Sequence, residues 1–171
     1  MRNPLLIDRI RQYLSSIVPE VKLKEFLGDG TDGEVWSTQR STAVKAFKYD
    51  FGYFNERDTY LRLAEYGITE KLEGFWIHKM VGYDDHLMVI EMDLMQHPPY
   101  IIDFAKVRID RPPDFSEETM EYNEQRGRER FEENWPTVKL LLAALESFQI
   151  YYLDPSPSNI VLPKPSPSRD R

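Results

Sequence analysis

Gly28-Asp29-Gly30-Thr31-Asp32-Gly33-Glu34-Val35 sets three glycines in a G-x-G-x-x-G-x-V pattern, and the flanking residues decide what it means. Glycines at this spacing let a backbone approach phosphate groups closely and present amide donors to them. A helix opening directly after the last glycine would make the run a dinucleotide-binding turn in a parallel sheet. Glu34 to Thr38 instead has the character of a strand, and Lys22 to Leu27 alternates as a strand does. The stretch therefore reads as a glycine-rich hairpin, either phosphate-binding or purely structural.

Beyond the hairpin, Ser41 to Phe47 resumes a strand that carries Ala43-Val44-Lys45, with Lys45 ten residues past Val35. A lysine inside an apolar strand must direct its charge to a partner, since burying it unpaired is costly. The next segment, Tyr53 to Ala64, reads as a helix with Phe54, Leu61, Leu63 and Ala64 apolar and Gly67 as its C-cap. It carries Glu56, and the plain alternative leaves both this residue and Lys45 on the surface. Phe75 to Tyr83 and Leu87 to Met92 read as a strand pair joined at Asp84-Asp85. On the N-terminal side, Pro4 to Val18 places Leu6, Ile7, Ile10, Leu14, Ile17 and Val18 at helical spacing, an amphipathic helix that docks on the body and ends at Pro19.

The second half changes character. After Gln96, His97-Pro98-Pro99 leads into a short apolar stretch, Tyr100 to Val107, and Arg111-Pro112-Pro113 makes another turn. Ser116 offers an N-cap, with Glu117 and Glu118 favouring the helix dipole, for a helix that runs to about Asn134 and is weakened by Gly127. Eight acidic residues and three arginines lie between Asp114 and Asn134, so this block reads as a solvated face. Pro136 suits the first turn of the next helix, Thr137 to Phe148, with Leu140, Leu141, Ala144, Leu145 and Phe148 as its buried stripe. Ile150 to Leu162 returns to loop and strand, and the Pro/Ser-rich tail is expected to be disordered. The expected organisation is an N-terminal helix (1–20), a strand-rich part (21–93), a mostly helical part (94–162) and the tail (163–171).

Composition narrows the function classes. The 171 residues suit one domain or two small lobes, and 41% hydrophobic with 30% charged residues is ordinary for a globular chain. No cysteine is present, which excludes disulfides, thiolate zinc and thiol catalysis. The histidines His78, His86 and His97 lack ligand spacing. A net charge of −7 argues against nonspecific nucleic-acid binding. The longest apolar run, Leu140 to Leu145, is far below a membrane span, and no signal-peptide core forms near the N-terminus, so the expected location is cytoplasmic without membrane association.

The last informative string runs from Ala143-Ala144-Leu145 through Ile150-Tyr151-Tyr152-Leu153-Asp154-Pro155-Ser156-Pro157-Ser158-Asn159-Ile160-Val161-Leu162. An apolar helix leads into a turn, an Asp, an Asn five residues on, and a short apolar strand; the plain alternative is an Asx-turn before a strand. With the hairpin and Lys45 in the same order, the chain resembles the protein-kinase-like superfamily over about Val21 to Leu162. That resemblance implies an α+β, two-lobed fold: a five-stranded antiparallel N-lobe sheet with one helix, and an abbreviated helical C-lobe. It implies ATP bound by Gly28, Gly30, Gly33, Val35, Ala43 and Lys45, with Ile90 as gatekeeper and Glu91, Met92 and Asp93 as the adenine-contacting backbone. Lys45, paired with Glu56, would hold the α- and β-phosphates, Asp154 would orient or deprotonate an acceptor hydroxyl, and Asn159 would bind Mg²⁺.

Departures from the family are equally specific. Tyr152-Leu153 stands where His-Arg is usual, and Ser156 replaces the catalytic-loop lysine, removing a charge that would face the transferring phosphoryl group. The short spacing from Lys45 to Glu56 requires the helix to begin almost at once. No Asp-Phe-Gly follows Leu162, but Ile101-Ile102-Asp103-Phe104-Ala105-Lys106 resembles that element ahead of the catalytic segment. If this stretch lies beside Asn159 to Leu162, Asp103 reaches the metal; otherwise it is a surface or capping residue. Two functions follow as expectations: an Mg-ATP-dependent phosphotransferase acting on a protein or small-molecule hydroxyl, or an inactive pseudokinase that engages a partner protein.

Overall fold

The computed structural model describes residues 2–18, 20–94 and 101–162; the expected tail at 163–171 lies outside them. Helix α1 (Pro4–Ile17) precedes strands β1 (Leu23–Asp29), β2 (Gly33–Thr38) and β3 (Thr42–Phe47), then helix α2 (Asp50–Glu65). Strands β4 (Lys71–Leu72), β5 (Phe75–Ile77), β6 (Met80–Asp84) and β7 (Val89–Asp93) follow. The main sheet is five-stranded and antiparallel throughout, in the order β1-β2-β3-β7-β6. Every residue of β3 is buried, because helices cover both faces of the sheet there. That is why its sequence is a near-continuous apolar run rather than an alternation.

Helix α1 covers one face. Its Leu6, Ile10, Tyr13 and Leu14 pack on Trp36, Val44, Ala46 and Val89. Asn3 caps the helix by accepting from the Leu5 amide, and the Arg9 guanidinium donates to the carbonyls of Leu87, Met88 and Phe47 at the sheet's end. Ile17 and Val18, expected in the buried stripe, are exposed; Tyr13 takes part in their stead and donates its hydroxyl to buried Glu91. On the other face, Ala43, Phe47, Ile90 and Met92 pack with Tyr53 of α2. Helix α2 begins three residues after β3, as the short Lys45 to Glu56 spacing requires, and Gly67 past its end takes a left-handed φ of 74°.

The rest of the chain comprises β8 (Ile101–Ile102), β9 (Val107–Ile109), α3 (Glu117–Phe131), a 3-10 turn (Glu132–Asn134), α4 (Trp135–Ser147), β10 (Ile150–Tyr152) and β11 (Ile160–Val161). The fold is thus α+β. No helix among the described residues is long and apolar enough to cross a membrane.

Two expectations need correction. Phe75 to Tyr83 is not one strand: β5 leaves the main sheet and pairs with β4 and, in parallel, with β8. The break arises because Phe75 and Ile77 bury into the core of the helical part, with Phe104, Leu141 and Leu145, whereas β6 serves the main sheet. In α4 the buried stripe is Trp135, Val138, Leu141 and Leu145, and Leu140 is 64% exposed. Helical steps of three and four residues put 138, 141 and 145 on one side and swing 140 away. Gly127 likewise serves packing: the Trp135 ring lies where its Cβ would be, and Phe131 stacks on Trp135 at 5.9 Å.

Two short antiparallel ladders decide the geometry of the site. β9 pairs with β10, and β8 pairs with β11. Residues 101–109 are thereby laid against residues 150–161, although about fifty positions separate them.

Candidate functional site

A cavity of about 660 Å³ opens between the glycine hairpin and the loops that flank β8 and β11. Gly28, Gly30, Gly33 and Val35 line it from the hairpin, Lys45 from β3, Asp103 and Lys106 from the segment after β8, and Asp154, Ser156 and Asn159 from the loop after β10. Lys48 steadies the hairpin, its ammonium donating to the Gly30 carbonyl at 2.7 Å and its amide to that of Asp32 at 2.7 Å. The three glycines are not equivalent. A Cβ on Gly33 would overlap the Ala46 carbonyl across the β2–β3 ladder, whereas a Cβ on Gly28 or Gly30 would meet nothing within 4 Å. Gly33 is therefore required by the fold, while Gly28 and Gly30 leave room over the cavity. Gly33→Ala is expected to lower the melting temperature, and Gly28→Ala with Gly30→Ala to leave it unchanged.

Lys45 and Glu56 meet at 2.6 Å, and both residues are buried. Burial opposes the Lys45 charge, but Glu56, Asp103 and Asp32 together raise its pKa. Burial also pushes Glu56 up; Lys45 pulls it down and Asp103 and Asp32 push it further, to about 7. Burial is the larger cause for Glu56, and the carboxylates of Asp103 and Asp32 add to it, whereas for Lys45 the carboxylates outweigh burial. The second Glu56 oxygen, Oε1, is buried without a hydrogen-bond partner among the described residues. The region is short of positive charge, and an additional cation would suit it.

Asp103 and Asn159 sit at the mouth of the β8–β11 ladder. The Asp103 amide donates to the Asn159 carbonyl at 2.8 Å, and the Tyr152 hydroxyl donates to the Asp103 carbonyl at 2.6 Å. The Asn159 and Ile160 amides both donate to the Ser156 carbonyl, which closes the turn between Asp154 and Asn159. Asp103 is thus neither a helix cap nor remote from Asn159. Two oxygen ligands and a polyphosphate suffice for Mg²⁺, so these residues fit that ion. No group of three or more His, Asp or Glu suited to a metal occurs among the described residues.

Asp154 holds the far side of the cavity. Arg130 of α3 donates to it at 2.7 Å and also to the Pro155 carbonyl at 2.7 Å, while Lys106 lies 3.5 Å from its other oxygen. The Arg130 hydrogen bond, with the charges of Arg130 and Lys106, holds the carboxylate below its usual pKa. Sequence reasoning missed both cations. Lys106 was visible in the quoted stretch ending Phe104-Ala105-Lys106, but Arg130 had no signal distinct from the two other arginines of its acidic helix. A second cavity, of about 420 Å³, lies under α3 and shares Arg130 and Asp154 with the first.

Five expected nucleotide contacts, Ala43, Ile90, Glu91, Met92 and Asp93, do not line the main cavity. Ala43 and Met92 face each other across the β3–β7 ladder, and Ile90 stands opposite Lys45. All three side chains belong to the buried cluster beneath the sheet. The Glu91 side chain points to the opposite face, where it accepts from Tyr13 and, at 2.6 Å, from Thr42. The backbone of Glu91 and Met92 is engaged in ladders with β3 and β6, and Asp93 still pairs with Thr42, so the chain leaves the sheet only after Asp93. No protein-family model matches this chain, and no curated protein is similar to it at a significant level.

Proposed function

We propose that the chain is a minimal protein-kinase-like, two-lobed nucleotide-binding protein that transfers the terminal phosphate of Mg-ATP to a hydroxyl acceptor. One observation carries this reading: the glycine hairpin, Lys45 (held by Glu56 behind it) and Asp103, Asn159 and Asp154 border a single cleft. Nothing in a purely structural hairpin requires that convergence. The β8–β11 ladder supports the rest, since it lays Asp103 beside Asn159, where the resemblance calls for a metal-binding aspartate.

Each residue then has a role. The amides of Gly28 to Gly33 and the Lys45 ammonium bind phosphate oxygens, and Glu56 fixes the lysine. Asp103 and Asn159 would hold Mg²⁺, which when bound neutralises phosphate charge. Asp154 orients the acceptor: the hydroxyl oxygen attacks the terminal phosphorus, the bond to the β,γ-bridging oxygen breaks, and ADP leaves. The acceptor's proton passes to Asp154. The cavity under α3 reaches Asp154 from the other side and suits an acceptor.

Calorimetric titration with ATP at increasing Mg²⁺ tests the reading. Tight binding that depends on Mg²⁺ and weakens at least tenfold in Asp103→Ala is the expected result. Binding indifferent to Mg²⁺ and to that substitution would favour a pseudokinase that engages a partner protein. The specific observation in favour of this second reading is Ser156, which leaves the catalytic loop without its own cation.

A further inference from the structure

We infer that Lys106 and Arg130 form a subsite for the terminal phosphate of a nucleoside triphosphate, supplying from two other elements the charge that Ser156 lacks. The inference rests on the nucleotide-binding reading above and adds residues that the family resemblance does not assign.

Three observations carry it. Both side chains line the cleft beside Asp154, at 3.5 Å and 2.7 Å from its two oxygens. The Lys45 charge is shared with buried Glu56 at 2.6 Å, and Lys106 and Arg130 are the other two cations among the described residues that line the cleft. Both pair with the single carboxylate of Asp154, an excess confined to this end of a cleft that Asp29, Asp32 and Asp103 also line, and the terminal phosphate would sit at that end. Donors remain for it: among the described residues only Nη1 of Arg130 is engaged, with Asp154 and Pro155, and a guanidinium carries five N–H groups. Lys106 is half exposed and keeps the mobility to turn from Asp154 toward a phosphate.

Backbone geometry points the same way. Lys106 adopts a left-handed φ of 63°, unfavourable for a residue with a side chain, and the Leu153 amide holds it there by donating to its carbonyl at 3.1 Å. A glycine would relieve the strain but would bring no ammonium to Asp154. Ser156, in the loop itself, spends its hydroxyl on Ser158 at 2.7 Å.

The chemistry predicts discrimination by phosphate number, which does not depend on turnover. ATP and ADP share everything except the terminal phosphate, so a subsite for that group appears as their affinity ratio. Mg-ATP and Mg-ADP would each be titrated by calorimetry into the wild-type chain, Lys106→Ala, Arg130→Gln and Arg130→Lys. The wild type is expected to prefer ATP by at least about tenfold, each neutral substitution to reduce that preference several-fold with ADP affinity retained, and Arg130→Lys to restore much of it. Lys106→Ala removes a half-exposed side chain, and a melting curve confirms its fold. An undiminished ratio in both neutral variants would overturn the subsite while leaving nucleotide binding intact. A wild-type chain that binds neither nucleotide would overturn the function proposed above and the subsite with it.

Discussion

Asp154→Asn is expected to lower phosphate transfer by about 10²–10⁴-fold, the usual range for losing a positioned proton acceptor, while Mg-ATP affinity is retained. The two side chains have nearly the same shape, so the turn closed by the Ser156 carbonyl stays in place. What disappears is a carboxylate that Arg130 and Lys106 keep ionised. The amide cannot take the acceptor's proton, and it attracts the two cations less. Transfer from ATP labelled at its terminal phosphate measures the first effect and calorimetry the second. Full transfer by the asparagine variant would remove Asp154 from the mechanism. Loss of nucleotide binding together with transfer would assign it to binding instead.

Lys45→Met carries the largest expected cost in stability, and the cost depends on pH. Removing one partner of a buried ion pair costs about 3–5 kcal/mol because the other charge is left uncompensated. Glu56, however, can escape by taking a proton. Its pKa is already raised from 4.5 to about 7, and without Lys45 the main influence pulling it down is gone. A carboxyl whose folded pKa lies above its unfolded one contributes stability below the unfolded value and loses it as pH rises through the folded value. The variant should therefore unfold close to wild type at pH 5 and lose most of the expected amount at pH 8. Urea melts at the two values decide the matter; equal losses at both would mean that Glu56 does not govern the effect.

Much of this architecture was legible in the sequence, for identifiable reasons. Strand period and glycine punctuation marked the antiparallel sheet, because β1 and β6 keep one half-open face and β3 is too apolar to lie anywhere but inside. Lys45 within that strand demanded a counter-charge, and it was the family resemblance that pointed to Glu56 on the helix that follows. The approach of Asp103 to Asn159 was readable as a conditional, since two apolar dipeptides, Ile101-Ile102 and Ile160-Val161, suit a short ladder.

What stayed illegible has physical causes as well. Phe75 and Tyr83 look like one strand because periodicity cannot register a change of core between them. Leu140 looks buried because a run of leucines satisfies several helical phases at once. Arg130 is invisible in a helix whose polar residues surround it, since charge patterning reports solvation and not a distant partner. Glu91 reads as a hinge backbone by analogy, yet its side chain answers to Tyr13 of a helix that the analogy does not include.

The tyrosine that stands where the resemblance calls for histidine has a consequence of its own. An imidazole in that seat would gain and lose a proton around neutrality, and the loop it braces would feel every acidification of its surroundings. The Tyr152 phenol keeps its hydrogen throughout, because burial and the carboxylates of Asp103 and Glu56 drive its ionisation upward. The Tyr152 brace between the two ladders is thus not itself a switch, and any response to acidity near neutrality falls to Glu56.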